Sequence, residues 1–230
     1  MIADKIADIK KRIIQACAKC GRKAQEIEIV AVTKGRPVGQ ILEAVSAGIS
    51  NIGENRIQEA LSKYYELQVT SYELRIKWHL VGHLQSNKVK DAVGIFDLIH
   101  SVDSLKLASQ IDKEAAKINK VQDILIQVNT SGEETKFGLK PEDTPKVIKE
   151  VSQLKNINIK GLMTIAPLAG NQEETRFYFR VLRLLRNKVN STLNTQYAIQ
   201  TLSMGMTDDF EVALEEGATM LRLGRAIFEV

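Results

Sequence analysis

The chain has 230 residues, of which 44% are hydrophobic and 26% are charged, so it can bury a globular core. Its formal net charge of +4 comes from 32 basic and 28 acidic residues spread along the chain, which does not indicate nucleic-acid binding. The first 20 residues lack the composition of a secretory or transit peptide, and no apolar run is long enough to cross a membrane, so we expect a cytoplasmic protein.

The first predicted element is an amphipathic helix at the N-terminus, with isoleucines at positions 2, 6, 9, 13 and 14 on one stripe. Cys17 and Cys20 lie at the end of this pattern. A redox pair needs a helix N-terminus, where the thiol pKa is lowered, so this position predicts two reduced, structural thiols. Two cysteines are also too few for a disulfide framework or a self-contained zinc site.

Eight short apolar runs follow, and each of the first seven precedes an amphipathic segment. The predicted strands are residues 27–33, 49–53, 78–82, 96–101, 124–129, 157–164, 198–203 and 218–223. Because continuous Val, Ile and Leu runs favour parallel strands covered on both faces, these units predict an α/β fold, a closed (β/α)8 TIM barrel with an extra N-terminal helix. The alternative is a doubly wound open sheet, but that fold gives no reason for the number of strands to stop at eight. No linker rich in Pro, Gly or Ser interrupts the pattern, so we expect one domain over residues 1–230.

Residues with helix-capping chemistry lie between the predicted elements. Gly48 suits a C-terminal cap, and Asn171 with Glu174 forms a capping box. Asp103 and Thr207 are further N-cap candidates. These positions support the predicted helix boundaries.

Lys34 is the first residue that indicates chemistry. It stands where the first predicted strand ends, and Gly35, Arg36 and Pro37 follow it. An amine at a strand end becomes a carbonyl-trapping nucleophile if burial and a cationic neighbour lower its pKa. In a barrel the carboxyl ends of all strands lie on one face, so residues from the other strand ends are expected beside Lys34. They are Glu54, Asn55, His83, Ser101, Asn129, Met163, Thr164, Ser203 to Thr207, Arg222 and Gly224.

The ends of the seventh and eighth strands predict a phosphate site, because barrels frequently bind phosphate in the loops that follow these strands. The phosphate loops are residues 203–207, which precede a helix, and residues 223–225. Asp208 and Asp209 lie beside them; we expect both to face solvent in the first helical turn, with a Mg²⁺ site as the alternative. A lysine opposite a phosphate site suits pyridoxal 5′-phosphate (PLP) or a sugar phosphate in an aldolase-like enzyme, and a simple core lysine is the third possibility. Spacing alone leaves the three open.

Six stretches of the chain carry a more specific signal. They are AVTK (31–34), GENRIQE (53–59), WHLVGHLQSNK (78–88), GLM (161–163), LSMGMTDD (202–209) and RLG (222–224). In this order, over most of the chain, they resemble the pyridoxal phosphate homeostasis protein family, single-domain relatives of the alanine racemase N-terminal barrel. The resemblance implies that PLP is the cofactor and that Lys34 holds it covalently, as an internal aldimine.

The same resemblance implies roles for the residues around the cofactor. An arginine in the position of Arg222 faces the pyridine nitrogen in the related racemases, and an arginine there weakens the electron sink. The phosphate would meet the two phosphate loops, and the ring would lie near Asn55 and the two methionines. The implied cofactor-binding residues are Lys34, Asn55, Met163, Ser203, Gly205, Met206, Thr207, Arg222, Gly224 and Arg225. From the residues alone, Asn55 as a helix cap and Arg222 as the partner of a barrel carboxylate remain alternatives.

Other conspicuous side chains are interpreted as structural. His79 lies within the third predicted strand and is expected to be a hydrogen-bonded core histidine, and His83 is expected to be a structural loop residue. Arg176, Arg180 and Arg183 form a stripe on the seventh helix, which predicts a solvated face, with binding of an acidic partner as the alternative.

Three functions remain open from the sequence. The resemblance favours a non-catalytic carrier or regulator in PLP homeostasis, which holds the cofactor and releases it. A barrel with its helices outside can be a monomer, so we expect a monomer, with PLP-dependent apoenzymes or regulatory proteins as candidate partners. A weakly active racemase or decarboxylase is the alternative, but the related racemases take a second acid/base, a tyrosine, from an additional domain, and the chain ends just after the eighth strand. None of the tyrosines falls at a predicted strand end: Tyr64, Tyr65, Tyr72, Tyr178 and Tyr197. The third possible function is that of a module that senses the cofactor and binds other proteins.

Overall fold

The strands close into a barrel. The computed structural model describes residues 1–68, 76–167, 170–192 and 198–229, and within them eight parallel strands lie side by side in chain order. Closure occurs between the first and the eighth strand, where Glu28 is in register with Met220 and Ala31 with Leu223. The predicted (β/α)8 TIM barrel is therefore confirmed, and the doubly wound open sheet is excluded.

Each observed strand overlaps a predicted one. The strands are β1 (Glu28–Val32), β2 (Asn51–Glu54), β3 (Lys77–Leu80), β4 (Leu98–Val102), β5 (Gln122–Gln127), β6 (Ile157–Met163), β7 (Thr201–Ser203) and β8 (Met220–Leu223). The helices are α1 (Ile2–Lys19), α2 (Val38–Ser46), α3 (Ile57–Gln68), α4 (Val89–Ile95), α5 (Leu105–Lys117), α6 (Thr144–Val151), α7 (Arg176–Thr192), α8 (Phe210–Glu215) and α9 (Arg225–Phe228). Among the described residues, no helix has the length and apolarity needed to span a membrane.

The extra N-terminal helix α1 packs against α8, α9 and α2. Its buried stripe consists of Ile2, Ile6, Ile9, Ile13, Ala16 and Cys17. Ile14, which was predicted on the same stripe, is exposed. Both cysteines are free thiols, and burial raises the pKa of Cys17, which disfavours the reactive thiolate.

Alternation along the strands divides the core into two layers. Side chains such as Ala31, Ile99 and Leu221 pack in the large cluster between the strands and the helices. Their neighbours of opposite parity fill the barrel interior as a separate cluster: Val30, Val81, Leu98, Leu125, Met163 and Met220. Because both faces of the strands are covered, the runs are continuously apolar rather than alternating.

The helix caps follow the predictions in part. Gly48 follows the end of α2 with a φ of +89°, a left-handed conformation that glycine adopts without strain. The Asn171 side chain accepts a hydrogen bond from the Glu174 N–H at 3.2 Å, just before α7. The Asp103 prediction is wrong by one residue: Ser104 caps α5, and its hydroxyl oxygen accepts the N–H of the third helical residue at 3.2 Å.

The arginine stripe on α7 is partly exposed, as predicted, but its charges are paired within the chain. Arg176, Arg180 and Arg183 all contact the carboxylate of Glu216, at 3.3, 2.8 and 2.9 Å. Glu216 is only 3% exposed and follows α8. These arginine hydrogen bonds and charges hold the pKa of the Glu216 carboxyl below its usual value, against the effect of its burial. The acidic partner of the stripe is therefore part of the same chain.

Candidate functional site

A cleft of about 760 Å³ opens at the carboxyl ends of the strands, the face on which barrels of this kind carry their sites. We call it the main cleft. Its lining includes seven of the ten residues predicted to bind the cofactor: Lys34, Asn55, Met206, Thr207, Arg222, Gly224 and Arg225. A side cleft of about 510 Å³ adjoins it and shares Lys34 and Asn55. The site residues that the sequence scatters over about 190 positions therefore meet at one end of the barrel.

Lys34 lies directly after Thr33, which follows β1, and its side chain is exposed. Lys34 lies at the junction of the two clefts rather than inside the barrel. Within the described part of the chain, its side chain makes no hydrogen bond or ion pair. The amine is thus accessible to a ligand in the main cleft.

Arg222 lies on β8 and is buried under the main cleft. Its guanidinium donates one hydrogen bond to the Ser203 hydroxyl oxygen and another to the carbonyl oxygen of Thr164, both at 2.7 Å. Burial lowers its pKa to about 10, and the charge of nearby Asp209 opposes that effect. Arg222 therefore stays protonated at neutral pH. The alternative of a direct pair with a barrel carboxylate is not observed among the described residues.

Two buried histidines extend this hydrogen-bonded chain. His100 Nδ1 lies 3.0 Å from Ser203 Oγ, and His100 Nε2 lies 3.0 Å from His79 Nδ1. His79 Nε2 is 3.3 Å from the Asn51 side-chain oxygen. Burial lowers the pKa of His79 to about 3 and that of His100 well below its usual value, so both rings are neutral. The interpretation of His79 as a hydrogen-bonded core residue is confirmed, whereas His100 was missed inside an apolar run.

The phosphate loops offer donors to an anion. In the described residues, the backbone N–H groups of Thr207, Gly224 and Arg225 have no hydrogen-bond acceptor, and all three residues line the main cleft. The predicted N-cap role of Thr207 is wrong, because Asp209 occupies the N-cap position of α8. Thr207 Oγ1 instead accepts the N–H of Ala226 at 3.2 Å, which leaves its own proton to donate. These groups form an unsatisfied donor set.

Three predicted site residues lie below the cleft rather than on its surface. Met163 belongs to the interior cluster with Val81, which does line the cleft. Ser203 is fully buried, and its hydroxyl already contacts the Arg222 and His100 side chains, so the predicted direct contact with a phosphate has no group left to make it. Gly205 is also absent from the lining.

Gly205 has a packing role. Its φ is +90°, and a Cβ at this position would lie 2.6 Å from the Cβ of Ala213 on α8. Its carbonyl oxygen accepts the backbone N–H of Arg222 at 3.1 Å. Glycine here lets the first phosphate loop cross close to α8.

Of the two aspartates beside this loop, one faces solvent as predicted and the other does not. Asp209 does not face solvent: it is 7% exposed, and its Oδ1 accepts the N–H of Met206 at 2.6 Å. Burial raises its carboxyl pKa. Asp208 is exposed and pairs with Arg225. The described residues contain no group of three or more His, Cys, Asp or Glu side chains that could hold a metal ion.

Charges at the main cleft favour an anionic ligand. At its rim, Arg36 pairs with Glu229 at 2.9 Å, and Arg225 pairs with Asp208, so these charges offset one another. The remaining charged groups of the lining are Lys34 and Arg222 against Asp209, whose ionised form is disfavoured by burial. The balance near Lys34 is therefore positive.

The remaining candidates lie outside the main cleft. His83 lines the side cleft and stacks on the ring of Phe137, with the ring centroids 3.8 Å apart. Among the described residues, no tyrosine lines the main cleft: Tyr64 packs on Trp78, and Tyr178 packs on Phe177. Tyr72 and Tyr197 lie outside the described residues.

Sequence comparison extends these observations. The family model of the alanine racemase N-terminal domain matches residues 8–230. A relative from Aquifex aeolicus, named pyridoxal phosphate homeostasis protein, is 43% identical over 225 residues, which cover 98% of this chain and 96% of the relative.

Solved structures with this fold include a similar protein and a more distant enzyme. PipY from Synechococcus elongatus, solved with PLP bound, has a TM-score of 0.86 and 35% identity, and the match covers 99% of this chain and 100% of that chain. Alanine racemase from Clostridium difficile has a TM-score of 0.72 at 16% identity, covering 98% of this chain and 56% of the enzyme, and shows likeness of fold alone. The chain therefore belongs to the pyridoxal phosphate homeostasis protein family, and its barrel has the fold of the alanine racemase N-terminal domain.

Proposed function

We propose that this chain binds PLP reversibly in the main cleft, through a covalent imine with Lys34, and thereby takes part in cellular PLP homeostasis. One observation carries the proposal: the exposed amine of Lys34 shares a cleft with the three unsatisfied N–H groups of Thr207, Gly224 and Arg225. The name of the Aquifex relative and the PLP in PipY support the choice of cofactor.

The residues of the main cleft fit this cofactor. A volume of about 760 Å³ lies in the usual range for small-molecule sites. Unsatisfied backbone donors and a hydroxyl suit a phosphate, because such groups bind anions without needing a paired cation. When bound, PLP supplies an aldehyde that an amine can capture and a ring that can withdraw electrons. Lys34 would form the covalent bond, and Thr207, Gly224 and Arg225 would hold the phosphate.

Arg222 limits what the site can catalyse. With a pKa of about 10, it remains a protonated donor at neutral pH and does not keep a pyridine nitrogen protonated as a carboxylate would. Arg222 would face that nitrogen, and Asn55 and Met206 would lie beside the ring. Such an environment favours retention of the cofactor over carbanion chemistry.

The proposal therefore gives the chain a holding role rather than a catalytic one. A racemase needs a second acid/base opposite the lysine, and in the described part of the chain no tyrosine lines the main cleft. We further propose that the protein acts in the cytoplasm as a single-domain monomer. PLP-dependent apoenzymes or regulatory proteins would receive the cofactor or respond to it.

Visible absorbance of the purified protein tests the proposal. After incubation with PLP and removal of the excess, the wild type should show a visible band that borohydride reduces and fixes to a peptide containing Lys34. Lys34→Ala, with the same fold by circular dichroism, should lose the band. A colourless wild type, or a variant that keeps the reducible band, would refute it.

The same preparation separates a carrier from a weak enzyme. Incubation with L-alanine should leave the optical rotation unchanged beyond the background of free PLP. Turnover above that background would contradict the holding role and support the racemase alternative.

A further inference from the structure

A second lysine lies beneath the loop that carries Lys34. Lys63 is on α3, and its side chain is only 10% exposed. Its ammonium donates three hydrogen bonds: to the Thr33 carbonyl oxygen at 2.7 Å, to Glu54 Oε1 at 2.7 Å and to Glu59 Oε1 at 2.6 Å. An ammonium has three donors, so all of them are used.

The residues on both sides of Lys34 are tied to this group. The Thr33 hydroxyl donates to Glu54 Oε1 at 2.5 Å, and the Gly35 N–H donates to Glu59 Oε1 at 2.6 Å. Glu54, Glu59 and Lys63 therefore form one cluster, which we call the Lys34 clamp. It holds the peptide before Lys34 and the peptide after it.

The backbone at this point needs such support. Gly35 adopts a φ of +69°, and no atom lies within 4 Å of the place where a Cβ would stand, so side-chain packing does not hold the turn. The Lys34 side chain itself has no hydrogen-bond partner in the described residues. Polar contacts from the clamp restrain the backbone from which the Lys34 side chain extends.

A contribution to the folding stability of the protein does not by itself explain why these three charged side chains are clustered. Glu54 is completely buried, burial raises its carboxyl pKa, and its second oxygen has no partner in the described structure. Buried ion pairs often contribute no more stability than apolar side chains of similar volume, because desolvation offsets the attraction. The clamp instead fixes the geometry of the loop, since three charge-assisted hydrogen bonds join it to Thr33 and Gly35. Two more hold the three members of the clamp together.

We propose that Lys63, acting through Glu54 and Glu59, is the positioning residue for Lys34. It fixes the backbone on both sides so that the amine stays at the main cleft, and this restraint slows the release of PLP. The effect on PLP rests on the function proposed above, whereas the effect on the loop does not. A preorganised amine loses less conformational freedom when the covalent bond forms.

Three variants and one matched control test this role. Lys63→Met removes the ammonium and keeps an unbranched chain, Glu59→Ala removes the acceptor of the Gly35 N–H, and Glu59→Gln keeps an acceptor oxygen. Lys117→Met is the control, because Lys117 and Glu114 form a similar pair at 2.6 Å on the exposed surface of α5.

Two measurements use the protein without PLP: deuterium exchange of the peptide that contains Gly35, and the rate of Lys34 acetylation relative to surface lysines. A third follows PLP release by loss of the visible band. In Lys63→Met and Glu59→Ala we expect exchange and PLP release about tenfold faster, the equivalent of one charge-assisted hydrogen bond. The Lys34 acetylation rate should change in the same two variants. In all three measurements, Glu59→Gln should be nearly the same as the wild type, and Lys117→Met should be the same as the wild type.

The outcomes separate the two proposals. Folded Lys63→Met and Glu59→Ala proteins with wild-type exchange and release would overturn the positioning role. If Lys63→Met does not fold, Glu59→Ala decides, because the Glu59 side chain is 28% exposed and its loss leaves Lys63 paired with Glu54. If the wild type takes up no PLP, the proposed function fails, and exchange and acetylation of the PLP-free protein still decide whether the clamp positions Lys34.

Discussion

The Arg222 guanidinium donates a hydrogen bond to the hydroxyl oxygen of Ser203, and this contact sets the direction of a buried chain. Because arginine only donates, the Ser203 hydroxyl proton is left for His100 Nδ1. A neutral His100 then carries its proton on Nε2 and donates to His79 Nδ1, and His79 donates from Nε2 to the Asn51 side-chain oxygen. One donor on β8 thus determines both histidine tautomers.

Removing the Ser203 hydroxyl should destabilise the protein. In Ser203→Ala, a buried donor of Arg222 and a nitrogen of His100 lose their partner, which costs about 1–3 kcal/mol of unfolding free energy. Urea unfolding at pH 7 measures it. Ser152→Ala is the control, because that hydroxyl lies in an exposed contact with the Lys149 carbonyl and should change stability by less than about 0.5 kcal/mol. Equal effects in the two variants would argue against the buried chain.

Stability should fall between pH 7 and pH 5. The folded-state pKa of His79 is about 3 and that of His100 is also far below the unfolded value of about 6.5, so the unfolded state binds more protons as the pH falls through 6.5. With a folded-state pKa of about 3, His79 should cost about 2 kcal/mol of unfolding free energy at pH 5 relative to pH 7, and His100 should lower the stability in the same direction. The loss for His79 continues down to a pH of about 3.

Urea unfolding at both pH values tests this dependence. The variant His100→Asn should show a smaller loss of stability between pH 7 and pH 5, because one of the two titrating groups is gone. A wild type equally stable at pH 5 and pH 7 would contradict the neutral, buried state of both rings.

Gly205 should be intolerant of a side chain. Gly205→Ala combines a φ of +90° with a Cβ placed 2.6 Å from Ala213, and we expect a loss of about 2 kcal/mol or more. Gly132→Ala is a matched control, since Gly132 has a φ of +74° and no atom within 4 Å of its added Cβ. It should show only the backbone cost of about 1 kcal/mol. Thermal unfolding of the two variants separates strain from overpacking, and equal losses would exclude the close contact with α8.

Thr207 should discriminate between PLP and pyridoxal, which lacks the phosphate. In Thr207→Ala we expect about tenfold weaker PLP binding, since one hydroxyl donor to the phosphate is lost, and unchanged binding of pyridoxal. Thr207→Ser keeps the hydroxyl and should bind PLP as the wild type does. Titration by visible absorbance gives the affinities. Equal weakening for both ligands would place the phosphate elsewhere.

Much of the fold could be predicted because its determinants are local. The strands appear as short apolar runs, since every strand of a closed barrel is covered on both faces, and Gly48 marks a helix end by its own conformation. Strand ends also locate the site, because a parallel barrel collects them on one face. Capping was less predictable: Asp103 and Ser104 carry equally suitable side chains, and only the path of the chain selects Ser104.

The contacts of individual side chains could not be predicted from the sequence, for a different reason. Glu59 and Lys63 have the spacing of an ordinary exposed helical pair, and nothing in that spacing shows that Lys63 turns under the Lys34 loop. His100 lies 103 residues from Ser203, so no local pattern links them. The Glu216 carboxylate likewise gathers arginines from α7 that the sequence alone presents as a surface stripe.

By itself, the sequence determined the eight strands, the helices after the first seven, the family, and the set of strand ends at which Lys34, the phosphate loops and Arg222 lie. These depend on hydrophobic periodicity and on residue types in short stretches, which act locally. Only the tertiary structure decided that Lys34 is exposed, that Ser203 and Asp209 are buried, and that Lys63 braces the loop. Burial, desolvation and hydrogen-bond partners depend on which distant segments meet, and the closure of the barrel brings those segments together.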